Sequence, residues 1–187
     1  SSDVCSSDLR DESIIIDNLL SNPSLENWNA ANDTPDNWTK VNSPTVTRES
    51  SRVFHGSFSA KLIAPSGSVG QLTQAPTVNM NEISGLTATF RGRVWTDAAT
   101  QARLRLDWDG TNFQNGEYHS GDNQWERLSA SAAIPASATQ VKCIFEVTAT
   151  DTAYFDLAYL LISPVYEYTL PSSLVSLPHY VSVQYDE

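Results

Sequence analysis

LTATFRGRVW, residues 86–95, alternates between two kinds of side chain. Ala88, Phe90, Gly92 and Val94 interleave with Thr87, Thr89, Arg91, Arg93 and Trp95. ARLRLDW, residues 102–108, repeats the pattern: Leu104, Leu106 and Trp108 stand against Arg103, Arg105 and Asp107. A period of two places each set on its own side of a strand. One side is apolar and the other wet, as in an antiparallel sheet that covers a core with one face and meets solvent with the other.

Outward from this pair the same signal recurs. SIIID (13–17), PTVTRE (44–49), SFSAKLIA (57–64), VGQLTQ (69–74), WERLSASA (125–132), TQVKCIFEVTA (139–149) and AYFDLAYLLIS (153–163) read as further strands. Clusters of Gly, Pro, Asn, Asp and Ser separate them, and helical periodicity is nearly absent. DGTNFQNGEYHSGDNQ (109–124) carries several turn dipeptides and reads as hairpin loops. The expected fold class is all-β, a sandwich of two antiparallel sheets over residues 11–163. PVYEYTLPSSLVSLPHYVSVQYDE (164–187), with three prolines and alternating Tyr and Val, reads as a linker and the start of a further β element.

The first residues follow no structural logic. SSDVCSSDL (1–9) resembles the translation of a common DNA-sequencing adapter, and residues 1–10 are set aside as artefactual. The chain of 187 residues has a formal charge of −11 from 22 acidic and 11 basic residues; without Asp3 and Asp8 the balance is 20 against 11, or −9. That sign argues against a nucleic-acid partner, because no basic stripe is present to displace counterions. No apolar run approaches the roughly 20 residues of a membrane span. With Cys5 set aside, Cys143 remains alone on an apolar strand face and reads as a buried, inert thiol.

The order of features carries a resemblance. NLLSNPSLENW (18–28), PDNW (35–38), HGSFSAKL (55–62), LTATFRGRVW, DNQWERLS (122–129) and YFDLAYL (154–160) together resemble the carbohydrate-binding modules of families four, nine and twenty-two. The resemblance implies a galactose-binding-like jelly roll and a non-catalytic, glycan-recognising domain of a larger extracellular or particle-surface protein. It also implies a structural calcium ion bound by Glu26 and Asp156, with Leu25 where an aromatic is usual and Leu157 where a second Asp is usual. The tail, 164–187, resembles segments of bacteriophage tail and virion proteins, which offers an assembly domain as the alternative.

Sugar rings need flat aromatic surfaces for their C–H faces and amides, carboxylates or Arg for their hydroxyls. Trp95, Arg91 and Arg93 share the wet side of their strand, and Phe113, Asn115 and Tyr118 lie in the segment expected to border that sheet. These six are the candidate ligand-binding residues. Trp38, Trp108 and Trp125 read as core, and Trp28 could serve either role. Asp107 and Asp109 read as turn acids rather than a catalytic pair. His55, His119 and His179 show no metal-ligand spacing. No nucleophile elbow, phosphate loop or dinucleotide fingerprint is present, so the reading is of a protein that is not an enzyme. Asn32 and Asn37 begin glycosylation-type triplets. In YFDLAYLLI, Tyr154, Asp156, Ala158 and Leu160 are expected on one face and Phe155, Leu157, Tyr159 and Leu161 on the other. Both faces are then apolar, which suggests a homo-oligomer or a neighbouring domain against the last strand.

Overall fold

In chain order the elements are β1 (Trp28–Asn29), β2 (Thr34–Pro35), β3 (Thr39–Val41), β4 (Thr45–Glu49), β5 (Ser59–Ile63), β6 (Gly70–Gln74), α1 (Met80–Ile83), β7 (Thr87–Trp95), β8 (Ala102–Asp107), β9 (Phe113–Tyr118), β10 (Glu126–Ala133), β11 (Lys142–Val147) and β12 (Thr152–Ser163). This computed structural model describes residues 18–29 and 33–163. The expected strand at 13–17, Asn32 and the tail 164–187 lie outside the described residues.

Two five-stranded antiparallel sheets make the sandwich. The first has the order β10-β7-β12-β5-β4 and the second β3-β6-β11-β8-β9; β1 and β2 form a separate small ribbon. Alternation in β7 and β8 puts Phe90, Val94, Leu104 and Leu106 inside, each fully buried. Phe145 of β11 is the hub between the layers: its ring centre lies 4.5 Å from Phe155, 5.1 Å from Phe90 and 5.2 Å from Trp38. A Cβ on Gly92 would come within 2.8 Å of the Phe145 ring, so the absence of a side chain in β7 makes room for the hub. Trp38 and Trp108 are core, as expected. Trp125 is not: it is half-buried and packs edge-on against Phe54 at 5.9 Å.

The segment read as hairpin loops contains a strand. Phe113–Tyr118 pairs with β8 at the edge of the second sheet, with a bulge between Arg103 and Arg105. Gly116 permits close approach to β10, since a Cβ there would meet the Ser129 carbonyl oxygen at 2.2 Å.

β12 departs from simple alternation. Asp156 pairs with Arg93 but Tyr159 pairs with Arg91, so three steps on β12 match two on β7. This bulge, with Leu157 at φ 45°, inserts one residue and inverts the strand's phase. Phe155, Ala158 and Leu160 are therefore all fully buried, while Tyr159 is 43% exposed. The expected face pairing of Phe155 with Tyr159 and of Asp156 with Leu160 is corrected accordingly. The opening NLLSNPSLE segment serves this bulge: Asn18 Nδ2 donates to the Ala158 carbonyl at 2.8 Å, and Asn18 Oδ1 accepts the Leu160 N–H at 3.0 Å. The Ala158 N–H donates to the Pro23 carbonyl at 2.7 Å.

Candidate functional site: two outer sheet faces

The outer face of the second sheet is built around Glu146. This carboxylate lies in mid-strand on β11, only 1% exposed, between core residues Phe145 and Val147. Gln71 of β6 donates to Oε2 at 2.8 Å, Arg103 of β8 donates to Oε1 at 2.8 Å, and Arg105 pairs with Oε2. Burial pushes the Glu146 carboxyl up, but the bonds from Gln71 and Arg105 and the two guanidinium charges outweigh it and leave the group below its ordinary value. The arginines extend from this anchor to the edge strand. Arg105 lies 3.9 Å over the Phe113 ring, and Arg103 4.6 Å over that of Tyr118. Phe113 is 49% and Tyr118 36% exposed, so each ring keeps open surface. Asn115, opposite Arg105 in register, is exposed beside them. Arg105 Nε is buried without a hydrogen-bond partner. The result is a polar strip of amide, carboxylate and guanidinium groups flanked by two aromatic surfaces.

The first sheet carries a different surface. A cleft of about 320 Å³ is lined by Phe54, Arg91, Gly92, Arg93, Arg127, Leu157, Tyr159 and Leu161. Trp95 stands apart from it. The Arg52 guanidinium lies 3.4 Å over the Trp95 ring, and Tyr154 meets that ring edge-on at 5.4 Å. The six sequence candidates thus divide between opposite faces. Arg91, Arg93 and Trp95 belong to the first sheet, and Phe113, Asn115 and Tyr118 to the second. Period-two reasoning placed each residue on a strand side but could not say which sheet received β9.

Sequence reasoning passed over Glu146, Gln71 and Arg127. For Glu146 a signal existed: a carboxylate inside VKCIFEV, on the side opposite Cys143 and Phe145. Cys143 itself is fully buried, and burial pushes its thiol well above the ordinary value. Asp107 and Asp109 build the turn after β8. Asp107 Oδ1 accepts the N–H groups of Asp109 and Gly110 and the Gln140 amide. Asp109, bonded first by the Asn112 side chain and then by the Asn112 and Thr111 N–H groups, is held well below the usual carboxylate range.

Glu26 and Asp156 both bind the backbone of the loop before β5. Glu26 Oε1 accepts the N–H groups of Ser57 and Phe58, each at 3.0 Å. Asp156 Oδ2 accepts those of Phe54 and His55, each at 3.0 Å, and Oδ1 that of Leu157 at 2.8 Å. Burial, assisted by the neighbouring Glu26 charge, raises the Asp156 carboxyl above its ordinary value despite these bonds. Carboxylate oxygens from distant parts of the chain at one loop are a donor type that suits a hard cation.

A second acidic group was invisible to spacing. His119, Asp122 and Glu126 place one potential ligand atom each within 4.8 Å of one another. His119 is already engaged: Nδ1 accepts the Gly121 N–H at 2.8 Å and Nε2 faces the Gln124 carbonyl at 3.1 Å.

No family matches the chain in sequence, and no curated protein matches it. Solved structures do. The CBM22-1 xylan-binding domain from Paenibacillus barcinonensis Xyn10C superposes over 81% of this chain and 97% of its own, with TM-score 0.63 and 15% identity. TmCBM61, solved in complex with β-1,4-galactotriose, covers 79% of this chain and 99% of its own, with TM-score 0.56 and 15% identity. The fold is the carbohydrate-binding-module jelly roll. The enzymatically active domain of bacteriophage CBA120 tailspike protein 4 contains it too, over 78% of this chain but 21% of that one, with TM-score 0.55 and 18% identity. In this jelly roll the strand order brings β6, β11, β8 and β9 side by side, which gathers Gln71, Glu146, Arg103, Arg105, Phe113 and Tyr118 from distant sequence onto one face.

Proposed function

We propose that this chain is a non-catalytic glycan-recognition domain that binds polysaccharide or surface glycan on the outer face of its second sheet. One observation carries the reading: two exposed rings, Phe113 and Tyr118, border a strip of hydrogen-bonding groups fixed by the buried Glu146. Rings take the C–H faces of pyranoses, and the open bonding positions of Arg103, Gln71 and Asn115 take hydroxyls. The shared fold with xylan-binding and galactotriose-bound modules supports it. The setting is extracellular or at a particle surface. Among the described residues no helix is long and apolar enough to cross a membrane.

Titration calorimetry with xylohexaose and β-1,4-galactotriose tests this. Phe113→Ala and Tyr118→Ala each weaken binding about tenfold, the roughly 1.4 kcal/mol of one ring contact, with the melting temperature unchanged. Binding indifferent to both substitutions refutes the assignment.

Glu26 and Asp156 hold a structural calcium ion that neutralises their mutual repulsion. Two carboxylates are fewer than the six to eight oxygens calcium takes, so carbonyls and water complete the set. Calcium added after chelation raises the melting point of the native chain, and Asp156→Asn removes the response. No response in the native chain excludes the ion. The likeness to the tailspike domain favours a second reading, an assembly domain of a virion protein, which predicts oligomers by sedimentation.

A further inference from the structure

The cleft on the first sheet is separate from the proposed sugar-binding face and lies across the sandwich from it. Its composition is unusual for this molecule. The chain is acidic, at −11, yet three of its eleven basic residues, Arg91, Arg93 and Arg127, line this one depression. Arg93 and Arg127 are direct cross-strand partners in the β7–β10 register, and Arg91 lies two residues from Arg93 on the same side. Like charges placed directly opposite one another repel, so strand pairing alone gives no reason for this arrangement. Among the described residues none of the three forms an ion pair. The carboxylate nearest in register is Asp156, across from Arg93, and it forms no ion pair with that guanidinium.

The remaining walls are apolar. Leu157, Tyr159 and Leu161 come from β12, and Phe54, 40% exposed, comes from the loop before β5 with the Arg93 guanidinium 4.2 Å over its ring. The bulge matters here. Its extra residue, Leu157 at φ 45°, turns Tyr159 outward opposite Arg91 and opens the strand beside the arginines. A non-glycine residue held at positive φ beside a bulge recurs where a strand has been re-aimed for binding. Planar guanidinium groups match oxyanions with paired hydrogen bonds, and aromatic and aliphatic walls match the C–H face of a ring. The volume is at the small end of the roughly 300–1,000 Å³ typical of small-ligand sites.

We infer that this cleft is a second binding site, for an acidic sugar unit whose carboxylate or sulfate is held by Arg91, Arg93 and Arg127 while its ring lies against Tyr159 and Leu157. The site extends the molecule's reach from neutral to charged glycans, and it does not depend on the second-sheet face being correct.

The experiment is a calorimetric titration of the full chain with four probes: trigalacturonate, its methyl ester, a sulfated galactotriose and inorganic sulfate. Trigalacturonate or the sulfated trisaccharide binds, and the bound one identifies the anion. The methyl ester binds at least tenfold more weakly than the free acid, and inorganic sulfate more weakly than either charged sugar. Raising salt from about 0.05 to 0.5 M weakens binding, as expected of exposed charge pairs. Arg91→Gln and Arg127→Gln, both at exposed positions, each reduce affinity about tenfold without lowering the melting temperature. Phe113→Ala leaves this binding untouched, which separates the site from the second-sheet face. Absence of binding by both charged sugars, equal binding of acid and ester, sulfate binding as well as the sugars, or indifference to both arginine substitutions overturns the assignment.

Discussion

Glu146 is a carboxylate placed where its strand neighbours are core, and its environment determines its charge. Two guanidinium groups and the Gln71 amide offset its desolvation, so the ionised form is stabilised by folding. The folded value lies below the ordinary 4.5, so this contribution is complete above that pH and is lost as the pH falls through the folded value. Glu146→Gln leaves two arginines without their counter-charge and costs about 3 kcal/mol near neutrality, or roughly 6–12 °C in melting temperature. Thermal melts of both proteins should differ most at pH 6–7 and converge only as the pH falls below 4.5 and through the folded value; a constant difference would show that charge is not the cause. Trp95, one of the six candidate ligand-binding residues, makes its ring contacts within the fold. Its ring is covered by Arg52 and abutted by Tyr154, so it supports the fold. Trp95→Ala should cost about 2 kcal/mol in stability, read by denaturant melts, and leave neutral-sugar affinity unaltered.

At the scale of elements, alternation was sufficient for β4 to β8 and β10 to β12, whose observed bounds fall within a few residues of the runs read from sequence. It failed where the period itself breaks. β9 begins among turn residues, and NFQNGEY carries no apolar repeat because its outward side bears Phe113, Asn115 and Tyr118. The β12 bulge adds one residue, and strict alternation then assigns every later side chain to the wrong face. The apolar outer face that suggested a subunit contact was partly a product of that assumption, since Phe155 is core. Asn18 is the piece of sequence that accommodates the bulge, through bonds to the backbone on either side of Tyr159. Asn18→Ala should therefore cost about 1–2 kcal/mol and increase amide exchange selectively at Leu160, whose N–H loses its acceptor. Uniform exchange along β12 would deny Asn18 this role.

Over the whole molecule, the sandwich was legible because a jelly roll is written in strand periodicity and turn residues, which are local. The candidate site was legible only in parts. Its members come from β6, β8, β9 and β11, and their adjacency is a property of sheet order that no single segment encodes. Likewise, Arg91 and Arg93 could be seen on one strand side, but Arg127 joins them only through the β7–β10 register. Glu26 and Asp156 were singled out through resemblance, and the structure brings them to one loop from 130 residues apart. We propose neutral glycan on one face, charged glycan on the other and a cation at Glu26 and Asp156, beside the loop before β5. The most direct test of the first of these is an amide chemical-shift map of the isotopically labelled chain titrated with xylohexaose and then β-1,4-galactotriose. Perturbations are expected to centre on residues 103–105, 113–118 and 146, with silence around Arg91 and Tyr159. Perturbations confined to the first-sheet cleft would contradict the proposal.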